Sequence, residues 1–135
     1  MKGAMRIRFV LLACGILLGA ETALAGKPIM NIHDRAVPVN VDGSGRTIDE
    51  VRAAVIEGCK LKGWTPVMNG ENEIKCSIDV RGRHYAEVLI AYTAEHFSIV
   101  YSGSRGLEYN EKKQRIHRNY NRWVANLALA IQQQF

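Results

Sequence analysis

Apolar residues alternate with polar ones along several stretches of the chain and recur every three to four residues along two others. Ile74, Cys76, Ile78 and Val80 alternate with Lys75, Ser77, Asp79 and Arg81, the pattern of a strand with one buried and one wet face. Gly82 punctuates it. From His84 to Thr93 the pattern predicts a longer strand, with Ala86, Val88, Ile90 and Tyr92 on one face and Tyr85, Glu87, Leu89 and Ala91 on the other. That mixed second face points to a central position in a sheet. Phe97, Ile99 and Tyr101 mark the next strand. Gly26 to about Arg35 reads as irregular, after which Val37, Val39 and Val41 alternate with Pro38 and Asn40 and predict a short first strand. Pro38 lacks a backbone donor and favours a sheet edge. Thr65 to Met68 offers one extra short strand before Asn69-Gly70, a dipeptide favoured in hairpin turns.

The helical period appears twice. Ile48, Val51, Val55 and Cys59 form one apolar stripe, and Thr47 with Glu50 has the spacing of a capping box at its start. This helix is predicted to end near Lys62, with Gly63 as its left-handed stop and Trp64 folding back on the last turn. Near the C-terminus Ile116, Tyr120, Trp123, Val124, Leu127 and Ile131 share a stripe, with Lys112, Lys113, Arg115, Arg118 and Arg122 mostly off it. Asn110 and Asn119 are both candidate starts for this helix.

The order β-α-β-β-β-α, with one extra short strand, predicts an α+β two-layer sandwich: a mainly antiparallel sheet of about four strands with both helices on one face. Cys59 on the helix stripe and Cys76 on the inward strand face are placed to form a disulfide between the layers. Two unpaired buried thiols are the alternative.

The first 25 residues change the charge and cysteine readings. Lys2, Arg6 and Arg8 precede an apolar run from Phe9 to Ala20, and Ala23 and Ala25 supply a small-residue cleavage site, the layout of a secretory signal peptide. Residues 1–25 are therefore read as a signal peptide cleaved after Ala25, and residues 26–135 as a single α+β domain. The expected location is the periplasm, with secretion as an alternative. The run is shorter than the roughly 20 residues of a membrane-spanning helix. A competing reading takes Leu11-Leu12-Ala13-Cys14 as a lipoprotein box, leaving a lipidated Cys14 as a membrane anchor. Three of the 18 basic and one of the 13 acidic residues fall in this segment, so the remainder carries 15 bases against 12 acids, a net +3. That is mild, and nucleic acid is not expected as a partner. Of the 3 cysteines, Cys59 and Cys76 remain, an even pair suited to an oxidising compartment.

Little of the sequence points to catalysis. His33, His84, His96 and His117 do not pair at ligand spacing on any one helix or loop, so no metal site is expected. Gly43-Ser44-Gly45-Arg46-Thr47 lacks the lysine and spacing of a phosphate-binding loop, and Gly103-Ser104-Arg105-Gly106 is one residue short of a nucleophile elbow. No catalytic residue and no cofactor is assigned.

Two candidate surfaces for a protein or anionic envelope partner stand out. One is basic, with Lys112, Lys113, Arg115, Arg118 and Arg122 around the structural anchors Tyr120 and Trp123; Trp64 is the third anchor. The other is the open sheet face, with Lys75, Arg81, Tyr85 and Glu87.

Tyr120-Asn121-Arg122-Trp123-Val124-Ala125-Asn126-Leu127, preceded by Ile116-His117, resembles the closing helix of small uncharacterised exported proteins and lipoproteins of proteobacteria. The resemblance implies the compartment and the fold and transfers no catalytic residue. The expected function is non-enzymatic binding in the bacterial cell envelope. Two alternatives stay open. An inhibitor of a foreign enzyme, such as a lysozyme, would use loops at Arg81 to His84 and Gly103 to Gly106. A small-ligand carrier or enzyme would need a pocket lined by His84, Tyr92 or Tyr101.

Overall fold

A computed structural model describes residues 26–135. The predicted signal peptide and Cys14 lie outside the described residues. The chain runs β1 (Lys27–Pro28), β2 (Ile32–Ala36), α1 (Ile48–Leu61), β3 (Thr65–Met68), β4 (Glu73–Val80), β5 (His84–Tyr92), β6 (His96–Arg105), β7 (Arg115–Ile116) and α2 (Arg118–Gln132). Five strands form an antiparallel sheet in the order β2-β6-β5-β4-β3, and β1 pairs with β7 as a separate ribbon. The architecture is the expected α+β sandwich, and β5 is its central strand.

Burial follows the alternation. Ile74 and Cys76 of β4, Ala86, Val88, Ile90 and Tyr92 of β5, and Phe97 and Ile99 of β6 are buried against the helices. From α1 come Val51, Val55 and Cys59, and from α2 Tyr120, Val124, Leu127 and Ile131. The two helices pack closely where Gly58 meets Ile131: a Cβ at position 58 would stand 2.8 Å from the Ile131 backbone. Trp64 is buried and Trp123 half-buried, both against the core. The Tyr120 hydroxyl is buried without a hydrogen-bond partner, and that burial pushes its pKa above the ordinary phenol range.

The start of α1 forms as its sequence predicts. The Thr47 side chain accepts from Glu50 N at 3.1 Å, and the Glu50 carboxylate accepts from Thr47 N at 3.2 Å. A cap of this kind stabilises a helix by about 1 kcal/mol. At the other end Gly63 adopts φ 80°, and Trp64 N donates to Cys59 O at 2.9 Å. A Cys59–Cys76 disulfide joins α1 to β4, with Cα atoms 6.8 Å apart.

Three local expectations are corrected. The first strand of the main sheet is Ile32–Ala36, and a two-residue strand at Lys27–Pro28 precedes it, so both lie in the stretch expected to be irregular and upstream of the valine alternation. Val37 still donates to Glu95 O at 2.8 Å, but Pro38 has no donor with which to continue the ladder, and Val39 and Val41 point to solvent. The chain then turns through Asn40–Ser44, and Arg46 Nε donates to Pro38 O at 2.8 Å.

The basic segment is not one helix. Lys112 and Lys113 lie in a hairpin turn stabilised by Asn110, whose side-chain oxygen accepts from Lys113 N at 3.0 Å. Arg115 and Ile116 are strand residues, and α2 begins only after His117. Gly103 to Arg105 are likewise part of β6, which bulges opposite Glu87 and Val88.

The opening residues of the described chain are clasped onto α2 and β7. Asn121 donates to Pro28 O and accepts from Met30 N, both at 2.9 Å. Arg115 Nη2 donates to Gly26 O at 2.7 Å. Gly26 has φ 83°, and a Cβ there would lie 2.7 Å from Ile116 O, so the clasp closes only around glycine.

Candidate functional site

The turn between β4 and β5 and the first turns of α2 meet at one pole of the molecule. Arg81 (φ 57°) and Gly82 (φ 66°) are both left-handed, a pairing whose twist suits a hairpin and which usually draws Asn, Asp or Gly. Arg83 N closes the turn on Val80 O at 3.1 Å, and the Asp79 carboxylate accepts from Gly82 N at 2.8 Å. Arginine at position 81 costs about 1–2 kcal/mol relative to glycine in this conformation.

Gly106, just past the end of β6, braces this turn from one side. His84 Nδ1 lies 2.8 Å from Gly106 O, and because a carbonyl only accepts, Nδ1 carries the proton and the neutral ring keeps its lone pair on Nε2. Gly106 has φ 73°, and a Cβ there would collide with the Arg83 carbonyl. His117 caps α2 with the opposite tautomer: its Nδ1 accepts from Asn119 N at 3.2 Å, so Nε2 bears the proton. The two imidazoles stack with centroids 6.3 Å apart, and the Trp123 ring stands 6.5 Å from His84.

Between these elements is an open depression of about 280 Å³ lined by Val80, Arg81, Arg83, His84, Asn119 and Trp123. A smaller one, about 60 Å³, shares Trp123 and is bounded by Lys62, Trp64, Ile78 and Asn126. Neither lining includes a carboxylate. Among the described residues the ion pairs are Arg52–Asp49, Lys60–Glu57, Lys75–Glu87 and Arg105–Asp79, so Arg81 and Arg83 are not neutralised. Two other depressions of similar size, about 250 and 280 Å³, contain Asp34 in one and Glu50 with Glu57 in the other.

This chemistry favours holding an anion. Metal binding through His117 Nε2 would drive its proton to Nδ1 and break the helix cap, and no group of three or more His, Cys, Asp or Glu is placed for a metal among the described residues. The lining holds no hydroxyl, thiol or carboxylate to serve as a nucleophile.

The open sheet face is organised differently. Glu87 accepts from the Tyr85 hydroxyl and from Ser102 Oγ, each at 2.9 Å, and Lys75 Nζ stands 3.6 Å away. The Ser102 and Tyr85 hydrogen bonds hold the Glu87 carboxyl below the usual carboxylate range. Burial, followed by the Glu87 contact, raises the Tyr85 hydroxyl. Arg105 lies over the Tyr85 ring at 5.5 Å and reaches Asp79 at 3.4 Å. On this face the charges answer one another.

The sequence candidates therefore separate. Lys75, Tyr85 and Glu87 form the sheet-face network, whereas Arg81 belongs to the pole. Arg118 and Arg122 are exposed on α2, Lys112 and Lys113 sit in the 110–115 turn, and half-buried Arg115 serves the N-terminal clasp. Of the residues named for a pocket, His84 lines the basic depression and Tyr92 a different one, while Tyr101 packs against Tyr109 and Tyr120. Asn119 as a site residue and the meeting of His84 with His117 were not legible in the sequence, and Arg83 figured there only as part of the Arg81 to His84 loop. The arginine occupying a turn position that favours small residues was the available clue.

Fold and site together define a two-layer α+β domain with a basic, tryptophan-walled pole. No family model, curated protein or solved structure matches the chain.

Proposed function

We propose that this is a non-enzymatic binding protein of the bacterial cell envelope, exported to the periplasm, and that it recognises an anionic envelope component through the pole formed by the β4–β5 turn and α2. The observation that carries this reading is the unneutralised pair Arg81 and Arg83 beside His84 and Trp123, in a lining without a carboxylate. The signal-peptide pattern at residues 1–25 and the Cys59–Cys76 disulfide support an exported protein.

The test is a two-dimensional NMR titration of the purified protein with inorganic pyrophosphate. Saturable shifts are expected at residues 80–84 and 119–123, and are expected to vanish in the double variant Arg81→Gly, Arg83→Gln. Shifts centred on Lys112 and Lys113, or shifts that survive in the variant, would remove the pole from the account.

A second reading draws on the same geometry. The Arg81–His84 turn and the end of β6 converge through the His84–Gly106 contact, so both loops proposed for an enzyme inhibitor lie at one pole. That reading predicts a tight one-to-one complex with a foreign lysozyme-type enzyme. Gel filtration of the mixture and residual enzyme activity would detect it.

A further inference from the structure

Resting on the reading of the pole as an anion site, we propose that its ligand is a phosphorylated sugar ring. A guanidinium presents its N–H groups as a planar fork that matches phosphate oxygens two at a time, and two such side chains project from the three residues of one tight turn. The turn is braced by the Asp79 bond to Gly82 N and by Gly106 against the Arg83 carbonyl. Arg81 holds a left-handed position that glycine or asparagine would occupy with less strain. Asp34, Glu108 and Gln114 are left-handed too, but of the four only Arg81 lines this depression.

The remaining lining suits a polyhydroxylated ring. Trp123 is half-buried and offers an apolar surface to the C–H face of a sugar. The Asn119 amide makes no side-chain hydrogen bond within the described residues, and His84 keeps an acceptor at Nε2 because Nδ1 is committed to Gly106 O. These groups can meet hydroxyls as acceptor and donor. The volume, about 280 Å³, falls just below the roughly 300–1,000 Å³ range of drug-sized sites and accommodates one ring with its phosphate. The depression is open and admits either the end of a larger lipid-anchored molecule or a free sugar phosphate; both present the same group.

Isothermal titration of the purified protein with glucosamine 1-phosphate, glucosamine, inorganic phosphate, pyrophosphate and adenosine monophosphate tests this, alongside vesicles of phosphatidylcholine with and without lipid A. Glucosamine 1-phosphate is expected to bind at least tenfold more tightly than glucosamine, phosphate or the nucleotide. Arg81→Gly with Arg83→Gln is expected to weaken it at least tenfold at an undiminished urea midpoint, and Trp123→Leu to remove the advantage over phosphate alone.

Binding to lipid A vesicles that free glucosamine 1-phosphate displaces would assign the ligand to a membrane surface, and binding of the free compound only would assign it to a soluble pool. Equal affinity for glucosamine 1-phosphate and phosphate, or tighter binding of the nucleotide, would overturn the inference. Arginine-dependent pyrophosphate binding in that case would leave the anion reading standing, and arginine-independent binding would sink both.

Discussion

The open sheet face and the basic pole carry similar residues to opposite effect. On the sheet face each charged group has an answer: Glu87 takes hydrogen bonds from Tyr85 and Ser102 and faces Lys75, and Asp79 meets Arg105. At the pole Arg81, Arg83, His84 and Trp123 share a lining that includes no carboxylate, and nearby Asp79 is committed to Gly82 N and Arg105. A satisfied network spends its interaction energy within the protein, whereas unanswered charge retains it for a ligand. The presence of charged residues on a surface therefore says less than whether they are neutralised.

The difference can be tested from the largest expected effect down. Replacing both cysteines with alanine should lower stability by about 3 kcal/mol in urea unfolding, because the bridge closes the chain between α1 and β4. It should leave pyrophosphate binding at the pole intact, since neither cysteine lines it. Gly106→Ala should cost about 1–2 kcal/mol for its left-handed backbone alone, with the collision at the Arg83 carbonyl in addition. NMR should show that it displaces the amides of Arg83 and His84 while sparing Ser77 and Lys75.

Glu87→Gln should destabilise by about 1–2 kcal/mol, because it weakens two hydrogen bonds to a charged acceptor, and should not change anion affinity. It should also alter the acid limb. Since the folded Glu87 carboxyl lies below its unfolded value, its contribution is complete above about pH 4.3 and is lost as the pH falls through the lower folded value. Urea midpoints at pH 7 and pH 3 should therefore converge for wild type and variant at the acid end; a constant gap would show that the carboxylate charge is not what Glu87 contributes. The smallest expected effect is on Arg81→Gly alone, which should raise stability by up to about 1 kcal/mol while weakening pyrophosphate binding. Loss of both would mean that arginine is there for the fold.

Much of the architecture could be read in advance because α1 and β4 to β6 are half-buried, and half-burial writes a period into the sequence; β3 is mostly exposed and was legible from the Asn69-Gly70 turn beside it. The capping box at Thr47 and Glu50 and the glycine stop at Gly63 were local signals with local causes. Elements lacking a regular buried face were misread. In β2 only Ile32 is buried, and a bulge between Ile32 and Arg35 breaks the alternation, so the valines downstream gave a stronger but misleading pattern. Strands β1 and β7 have two residues each, too few for any period. Ile116 has the right spacing for the α2 stripe and is buried in the same core, which is why the helix seemed to begin earlier.

By itself the sequence determined the two layers and the first helix with both its ends, and it pointed to the central place of β5 and to Cys59 and Cys76 as facing residues whose bridge the structure then supplied. Each follows from spacing within one element or from a pair of residues whose faces were already known. Only the tertiary structure decided that Arg81 and Arg83 from a hairpin turn, Gly106 from the end of β6, and His117, Asn119 and Trp123 from the last helix share one pole. It also decided that Arg115 donates to the carbonyl of Gly26, at the start of the described residues. No local rule encodes such meetings, because the order of strands in the sheet and the direction in which α2 returns across it set the distances between residues far apart in the chain.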